Sequence, residues 1–384
     1  MAVHFTSQEF RNRKEEVLKN MSEENIDALL MFKQESMYWL TGYDTFGYVF
    51  FQCLVLDKSG NIILLTRAPD LRQAQNTSII KDIRIWVDKE GVNPNEDLKK
   101  ILNELKLEGK KIGIEYDTYG LTGRNAILLN KSLNGYYKIE DKSELISKLR
   151  VIKSAEEISY VRKAAKLADK ALDEVWKNAK AGISEGKILA EMQRVIFENG
   201  GDYPANEFII GSGHNALLCR YQSEKRILSN PDQLTIEWAG TFKHYHSAMF
   251  RTIPIGKANP KHYKMYEACL EALTKCEEKL APGNTVGTVF DTHAKTLDEF
   301  GYKKSRMNAC GYSLGATFSP NWMDTPPMIF NGNPLILKPG MIFFMHMILM
   351  DSDNQLAMNL GETYLVTEKG NERLGQQKLD LVIL

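Results

Sequence analysis

Two side chains sit in surroundings that do not suit them. Glu237 lies in Leu234-Thr-Ile-Glu-Trp-Ala-Gly240, an otherwise apolar segment. A carboxylate there is costly unless it is paired or doing chemistry. It would serve as a nucleophile or as a general base with a raised pKa, or else as the counter-charge of Arg220 or Arg251. His346 lies in Met341-Ile-Phe-Phe-Met-His-Met-Ile-Leu-Met350, the most apolar run of the chain. A neutral imidazole there suits a proton shuttle; the bland alternative is a core histidine bonded to a backbone carbonyl. Arg220, in Leu218-Cys-Arg-Tyr221, offers the planar fork that best matches a substrate carboxylate, or a structural ion pair. Tyr221, Trp238, Tyr245, Tyr312 and Trp322 crowd the same segments. Their faces would hold a ligand cation for roughly 0.5–2 kcal/mol each, although core packing explains any one of them alone. His244 and His246 share strand parity with Ala248, so with Glu237, His346 and Glu362 they could make a mononuclear metal site, or simply pack near a hairpin.

The elements that must position these groups follow from periodicity. Residues 8–25 read as an amphipathic helix, with strands at Ala28–Phe32, Tyr48–Leu56, Ile62–Leu65 and Ile112–Ile114 and helices near 69–77, 95–107 and 122–133. Alternation of this kind predicts a small α/β domain over residues 1–150. Ser154 and Glu157 form a capping-box pair that opens a long helix with Ile158, Val161, Ala165, Ala168 and Leu172 along one stripe, so a second domain spans 151–384. Inside it, Gly182-Ile-Ser-Glu-Gly186 recurs as Gly283-Asn-Thr-Val-Gly287. Each copy follows a long helix, opens a shorter one on Ser184 or Thr285, and precedes a strand pair: Gln233–Ala239 with Tyr245–Ile255, then Gly340–Met350 with Leu356–Val366. Two matched helix–helix–hairpin units imply an internal pseudo-two-fold duplication.

Composition narrows the function. Lys+Arg and Asp+Glu are both 49 in 384 residues, so no basic surplus draws in nucleic acid. With 43% hydrophobic and 26% charged residues the chain is globular, and no apolar run nears the roughly 20 residues of a membrane helix. Five scattered cysteines without a Cys-x-x-Cys pair, and a start lacking an apolar signal core, lead us to expect reduced thiols in the cytoplasm.

The ordered segments Tyr38-Trp-Leu-Thr-Gly-Tyr43, Gly213-His-Asn-Ala216, Glu237-Trp-Ala-Gly240, Arg251-Thr252, Gly311-Tyr-Ser-Leu-Gly315, Leu337-Lys-Pro-Gly-Met341 and Gly361-Glu-Thr363 resemble the pita-bread superfamily of prolidase, aminopeptidase P, methionine aminopeptidase and creatinase. The resemblance implies an α/β creatinase-like N-terminal domain and an α+β pita-bread C-terminal domain. The metallopeptidases of that superfamily hold two metals on two aspartates, a histidine and two glutamates. Carried over, those positions read Glu237, Ala248, Tyr312, His346 and Glu362, so only Glu362 keeps its type. Alanine donates nothing and tyrosine is a poor ligand at neutral pH, so we expect no metal and no cofactor.

Metal-free members such as creatinase and ectoine hydrolase cleave C–N bonds of small zwitterions, and the Gly-Tyr-Ser-Leu-Gly segment followed by Pro320-Asn-Trp322 looks most like ectoine hydrolase. The resemblance therefore implies a metal-independent C–N hydrolase with Glu237, His346, Glu362 and Tyr312 catalytic, Glu362 orienting His346 or a water. Arg220, Trp238, Tyr221, His246, Trp322 and Tyr48 would bind substrate, Tyr48 within the lid candidate Asp44–Tyr48. The same residues leave open a lyase acting by β-elimination on an osmolyte such as dimethylsulfoniopropionate, a proline dipeptidase-like enzyme, and a non-catalytic binding protein. A homodimer is expected, with the aromatic Phe46–Phe51 stretch of one N-terminal domain reaching the partner's site.

Overall fold

The computed structural model describes residues 3–384 except 222 and 224. It divides into two compact units, Met1–Arg150 and Val151–Leu384.

The first unit runs α1 (Ser7–Glu23), β1 (Ala28–Met31), α2 (Gln34–Thr41), β2 (Cys53–Asp57), β3 (Ile62–Arg67), α3 (Leu71–Thr77), β4 (Asp82–Trp86), α4 (Pro94–Glu104), β5 (Lys111–Ile114), α5 (Gly123–Leu133), β6 (Lys138–Asp141) and α6 (Glu144–Arg150). Its six strands lie in the order β4-β3-β2-β1-β5-β6. The β1–β2 and β2–β3 pairs are antiparallel and the others parallel. Strand parity sends Ala28, Leu30 and Val55 to a core with α4 and α5, and Leu29, Met31 and Leu54 to a core with α1 and α2. The expected strand Tyr48–Leu56 forms only from Cys53. Gly47–Val49 is instead a 3-10 turn, pinned because Gly47 N–H donates to Thr45 Oγ1, which donates to Asp70. Tyr48 is buried, whereas Phe46, Val49 and Phe50 are exposed.

The second unit runs α7 (Ala155–Asn178), α8 (Glu185–Glu198), β7 (Ile209–Ser212), β8 (Asp232–Phe242), β9 (Tyr245–Ile255), α9 (Pro260–Lys279), α10 (Val286–Glu299), β10 (Ala309–Ser313), β11 (Met328–Phe330), β12 (Ile342–Asp351), β13 (Leu356–Thr367) and β14 (Gly370–Arg373). The capping box of Ser154 and Glu157 opens α7, and Ser184 and Thr285 cap α8 and α10. In the sheet order β11-β10-β12-β13-β9-β8-β7, with β14 added on β13, strands β10-β12-β13 mirror β7-β8-β9 about the β13–β9 junction, where Leu360 faces Arg251 and Gly361 faces Phe250. On each side a hairpin and its two helices repeat. This is the pseudo-two-fold pita-bread arrangement.

Parity assigns each strand residue to a face. Met345, Met347, Leu349, Met358 and Leu360 pack with Met265, Ala268 and Leu273 of α9. Trp238 points to α7, donating its indole N–H to the Ala168 carbonyl at 3.0 Å. The intervening residues occupy the opposite, open face. Across it, register aligns Glu237 with Phe250, Phe250 with Gly361, and Gly361 with His346. Among the described residues no helix is long and apolar enough to cross a membrane.

Candidate active site

The open-face row defines a cavity of about 220 Å³. Arg220, Glu237, Tyr312, Trp322 and His346 line it, with Asn206, Cys219, Phe250 and Asn321 among their neighbours. Glu237 and His346 stand three strands apart, about 14 Å at the backbone for strands 4.7–4.9 Å apart. Tyr312, on the strand beyond that of His346, reaches back across the open face to Glu237. The Tyr312 hydroxyl donates to Glu237 Oε1 at 3.1 Å and accepts from Trp322 Nε1 at 2.8 Å. Its ring centroid lies 5.7 Å from that of His346. A hydrogen-bonded line thus runs Trp322→Tyr312→Glu237, fixing one carboxylate oxygen and leaving the other for a ligand or water.

Burial dominates the electrostatics. It raises the Glu237 pKa to about 7, against the opposing pull of the Tyr312 hydrogen bond and the Arg220 charge. Burial pushes the Tyr312 hydroxyl well up, with the Glu237 charge acting in the same sense. His346 is pushed down to about 4 by burial, so it is a neutral imidazole near pH 7, and its Nδ1 has no hydrogen-bond partner among the described residues. Arg220 is exposed at the cavity and makes no hydrogen bond or ion pair among the described residues. Among the described residues neither Arg220 nor Arg251 forms an ion pair with Glu237: Arg251 pairs with Glu362, and Arg220 acts on Glu237 only through its charge. A carboxylate titrating near neutrality beside an open cavity has the character of a general base.

Seven other candidate residues lie elsewhere. Glu362 is one position out of register: the open-face residue of β13 is Gly361, and Glu362 points to the helix side, where it pairs with Arg251. A one-residue shift along a strand reverses the face. Trp238 is turned to α7 for the same reason. The Tyr245 hydroxyl, also on the helix side, donates to Glu157 Oε1 at 2.6 Å. Tyr221 packs against the Gly211 backbone and does not line the cavity. His246 does face the open side, yet it is wholly buried beyond the cavity. Its Nε2 accepts the Ala205 N–H at 2.9 Å, so Nδ1 carries the proton toward Thr317 Oγ1 at 3.2 Å. His244 sits in the hairpin turn at φ 64°, stacked on Phe318. Tyr48 belongs to the first unit.

The donor set does not fit a dinuclear metal centre. Glu237, Ala248, Tyr312, His346 and Gly361 occupy the open-face positions, leaving one carboxylate and one imidazole. At Gly361 even a Cβ would lie 2.8 Å from the Phe344 ring and 2.9 Å from Phe250 Cβ. Aromatic carbon therefore fills the space a second carboxylate would need. Among the described residues no group of three or more histidine, cysteine or acidic side chains converges.

Sequence reasoning missed Asn206, Cys219 and Asn321. Cys219 and Asn321 are immediate neighbours of Arg220 and Trp322, which is the signal that would have found them. Asn206 comes from the loop before β7 and carries no such signal.

An α/β unit followed by a pseudo-two-fold unit, with a polar cluster on the open face of its sheet, defines the creatinase/prolidase class of pita-bread proteins. Residues 159–368 match metallopeptidase family M24 and residues 13–152 the creatinase/prolidase N-terminal domain, and the chain belongs to that family. It is 26% identical to ectoine hydrolase of Halomonas elongata over 97% of both chains. It is also 26% identical to the Xaa-Pro dipeptidase of Pyrococcus horikoshii, over 95% of this chain and 97% of that one. Among solved structures, prolidase from Thermococcus sibiricus superposes with a TM-score of 0.88 at 22% identity, covering 99% of this chain and 100% of that one. Hydrolytic relatives of this length support an enzyme.

Proposed function

We propose that this protein hydrolyses a C–N bond of a small zwitterion bearing a carboxylate and an amidinium, as in ectoine, without a metal. The observation that carries the reading is Glu237, a buried carboxylate with a pKa of about 7, held by Tyr312 beside a cavity whose donors do not suit two metals. A cavity of about 220 Å³ falls below the roughly 300–1,000 Å³ of drug-sized sites and suits a small solute.

In this reading Arg220 binds the substrate carboxylate, while the faces of Tyr312 and Trp322 flank the cation. The free oxygen of Glu237 takes a proton from water as its oxygen attacks the amidinium carbon. The C–N bond then breaks as Glu237 gives that proton to the departing nitrogen, the remaining proton of the attacking hydroxyl passes to the regenerated carboxylate and on to the amine, and the products are an amide and an ammonium. Neutral His346 accepts a hydrogen bond from a substrate N–H through Nδ1. Incubation with ectoine-like cyclic amidines should yield the ring-opened amide, whereas Xaa-Pro dipeptides with added manganese should remain intact. Dipeptide cleavage without amidine opening would overturn the reading. The lyase alternative draws no support from the hydrolase and dipeptidase relatives named above.

If Arg220 holds the carboxylate, Arg220→Lys should raise KM at least tenfold, because an ammonium lacks the two-donor fork. Tenfold corresponds to about 1.4 kcal/mol. An unchanged KM with a lower melting temperature would instead make Arg220 structural. We also infer a homodimer, supported by the 76%, 55% and 50% exposure of Phe46, Val49 and Phe50. Light scattering at micromolar concentration should give twice the chain mass; a fully active monomer would contradict it.

A further inference from the structure

A second cavity, of about 480 Å³, opens at the other end of β8 and shares no lining residue with the Glu237 cavity. Gln233, in its wall, precedes Glu237 by four residues on that strand, about 13 Å at roughly 3.3 Å per residue. Arg226, Ser229, Lys257 and His262 also line it, and α9 begins at its edge.

The hydrogen bonds of Gln233 fix the tautomer of His262. Gln233 Nε2 donates to the carbonyls of Gly213 and Gln355, both at 2.8 Å, so Oε1 is the atom that accepts the Ala357 N–H and faces His262 Nε2 at 3.1 Å. His262 Nε2 must therefore carry the proton. Its Nδ1 is then a bare lone pair, without a partner among the described residues on a side chain only 3% exposed. Such a group calls for a donor.

The other charged groups call for an anion. Asp232 is satisfied by Arg226 at 2.6 Å and by the Ser229 and Gln233 N–H groups, so its charge is balanced. Lys257 has no partner among the described residues, which leaves a positive surplus. The 20-residue helix α9 adds the positive end of its dipole. It adds field rather than donors, because Pro260 has no N–H and the Lys261 N–H is taken by Asn259.

We propose that this cavity binds a small oxyanion that keeps a hydroxyl at neutral pH, of which inorganic phosphate is the simplest. The P–OH would donate to His262 Nδ1 while the charged oxygens face Lys257, Arg226 and the start of α9. Sulfate has the same shape but no proton to donate, so the lone pair discriminates between them.

Calorimetric titration of the full-length protein at pH 7.5 with phosphate and with sulfate, at matched ionic strength, tests this. Phosphate should bind saturably and at least tenfold more tightly than sulfate. Lys257→Ala should weaken both anions, His262→Phe should bring phosphate down to the sulfate level, and Arg220→Ala should leave phosphate affinity unchanged. Absent phosphate binding, equal affinity for the two anions, or phosphate affinity lost on Arg220→Ala would overturn the proposal. The anion comparison and the exposed Lys257 decide it even if the His262 variant fails to fold.

Discussion

Glu237→Gln is expected to lower kcat/KM by about 10²- to 10⁴-fold, the usual contribution of a positioned base, in a protein that still folds. Glutamine keeps the shape and can still accept from the Tyr312 hydroxyl, but it cannot take a proton from water. In the wild type kcat/KM should rise with pH and level off above about 7, as Glu237 ionises. Stability should move the other way. Because the folded-state pKa lies above the unfolded value, Glu237 favours the folded state most below about pH 4.5 and loses that contribution as pH rises through about 7. The shift corresponds to on the order of 3 kcal/mol. The glutamine variant lacks this dependence, so its melting temperature relative to the wild type should climb between pH 5 and pH 8. A constant difference, or retained activity, would remove Glu237 from the chemistry.

Glu362→Ala should act on stability instead. Glu362 and Arg251 are buried at 0% and 5% side-chain exposure, and the arginine also donates to the carbonyls of Phe250 and Gly361, both at 2.9 Å. Removing one member of a buried pair leaves the other uncompensated, at a cost of about 3–5 kcal/mol. For a domain of this size that lowers the melting temperature by about 6–20 °C. The fraction that remains folded should keep kcat/KM within about tenfold. Lost turnover at an unchanged melting temperature would return Glu362 to the catalytic set.

The contrast between these two glutamates marks what sequence patterning can resolve. Glu237 and His346 were legible because each interrupts an apolar strand, and a lone polar group there needs a reason to exist. The duplication was legible because Ser184 and Thr285 cap equivalent helices before equivalent hairpins. Glu362 misled because matching a short motif fixes a position only to within one residue, and in a strand one residue is the difference between two faces. Trp238 and Tyr245 misled in the same way, being aromatic neighbours in sequence whose parity sends them to α7 and its cap. α2 escaped notice because Gln34–Thr41 is buried almost throughout and shows no polar face. Gly361 could not have been read at all: its meaning comes from Phe250 and Phe344, which meet over it only once three strands are aligned.

That crowding at Gly361 underlies the central claim, hydrolysis without metal. The direct test is to dialyse the protein against EDTA, measure its metal content by elemental analysis, and follow ring opening of ectoine by NMR on the same sample. Less than one equivalent of transition metal per chain and unchanged turnover are expected. Two metals per chain, with activity lost to EDTA and restored by manganese or cobalt, would contradict it.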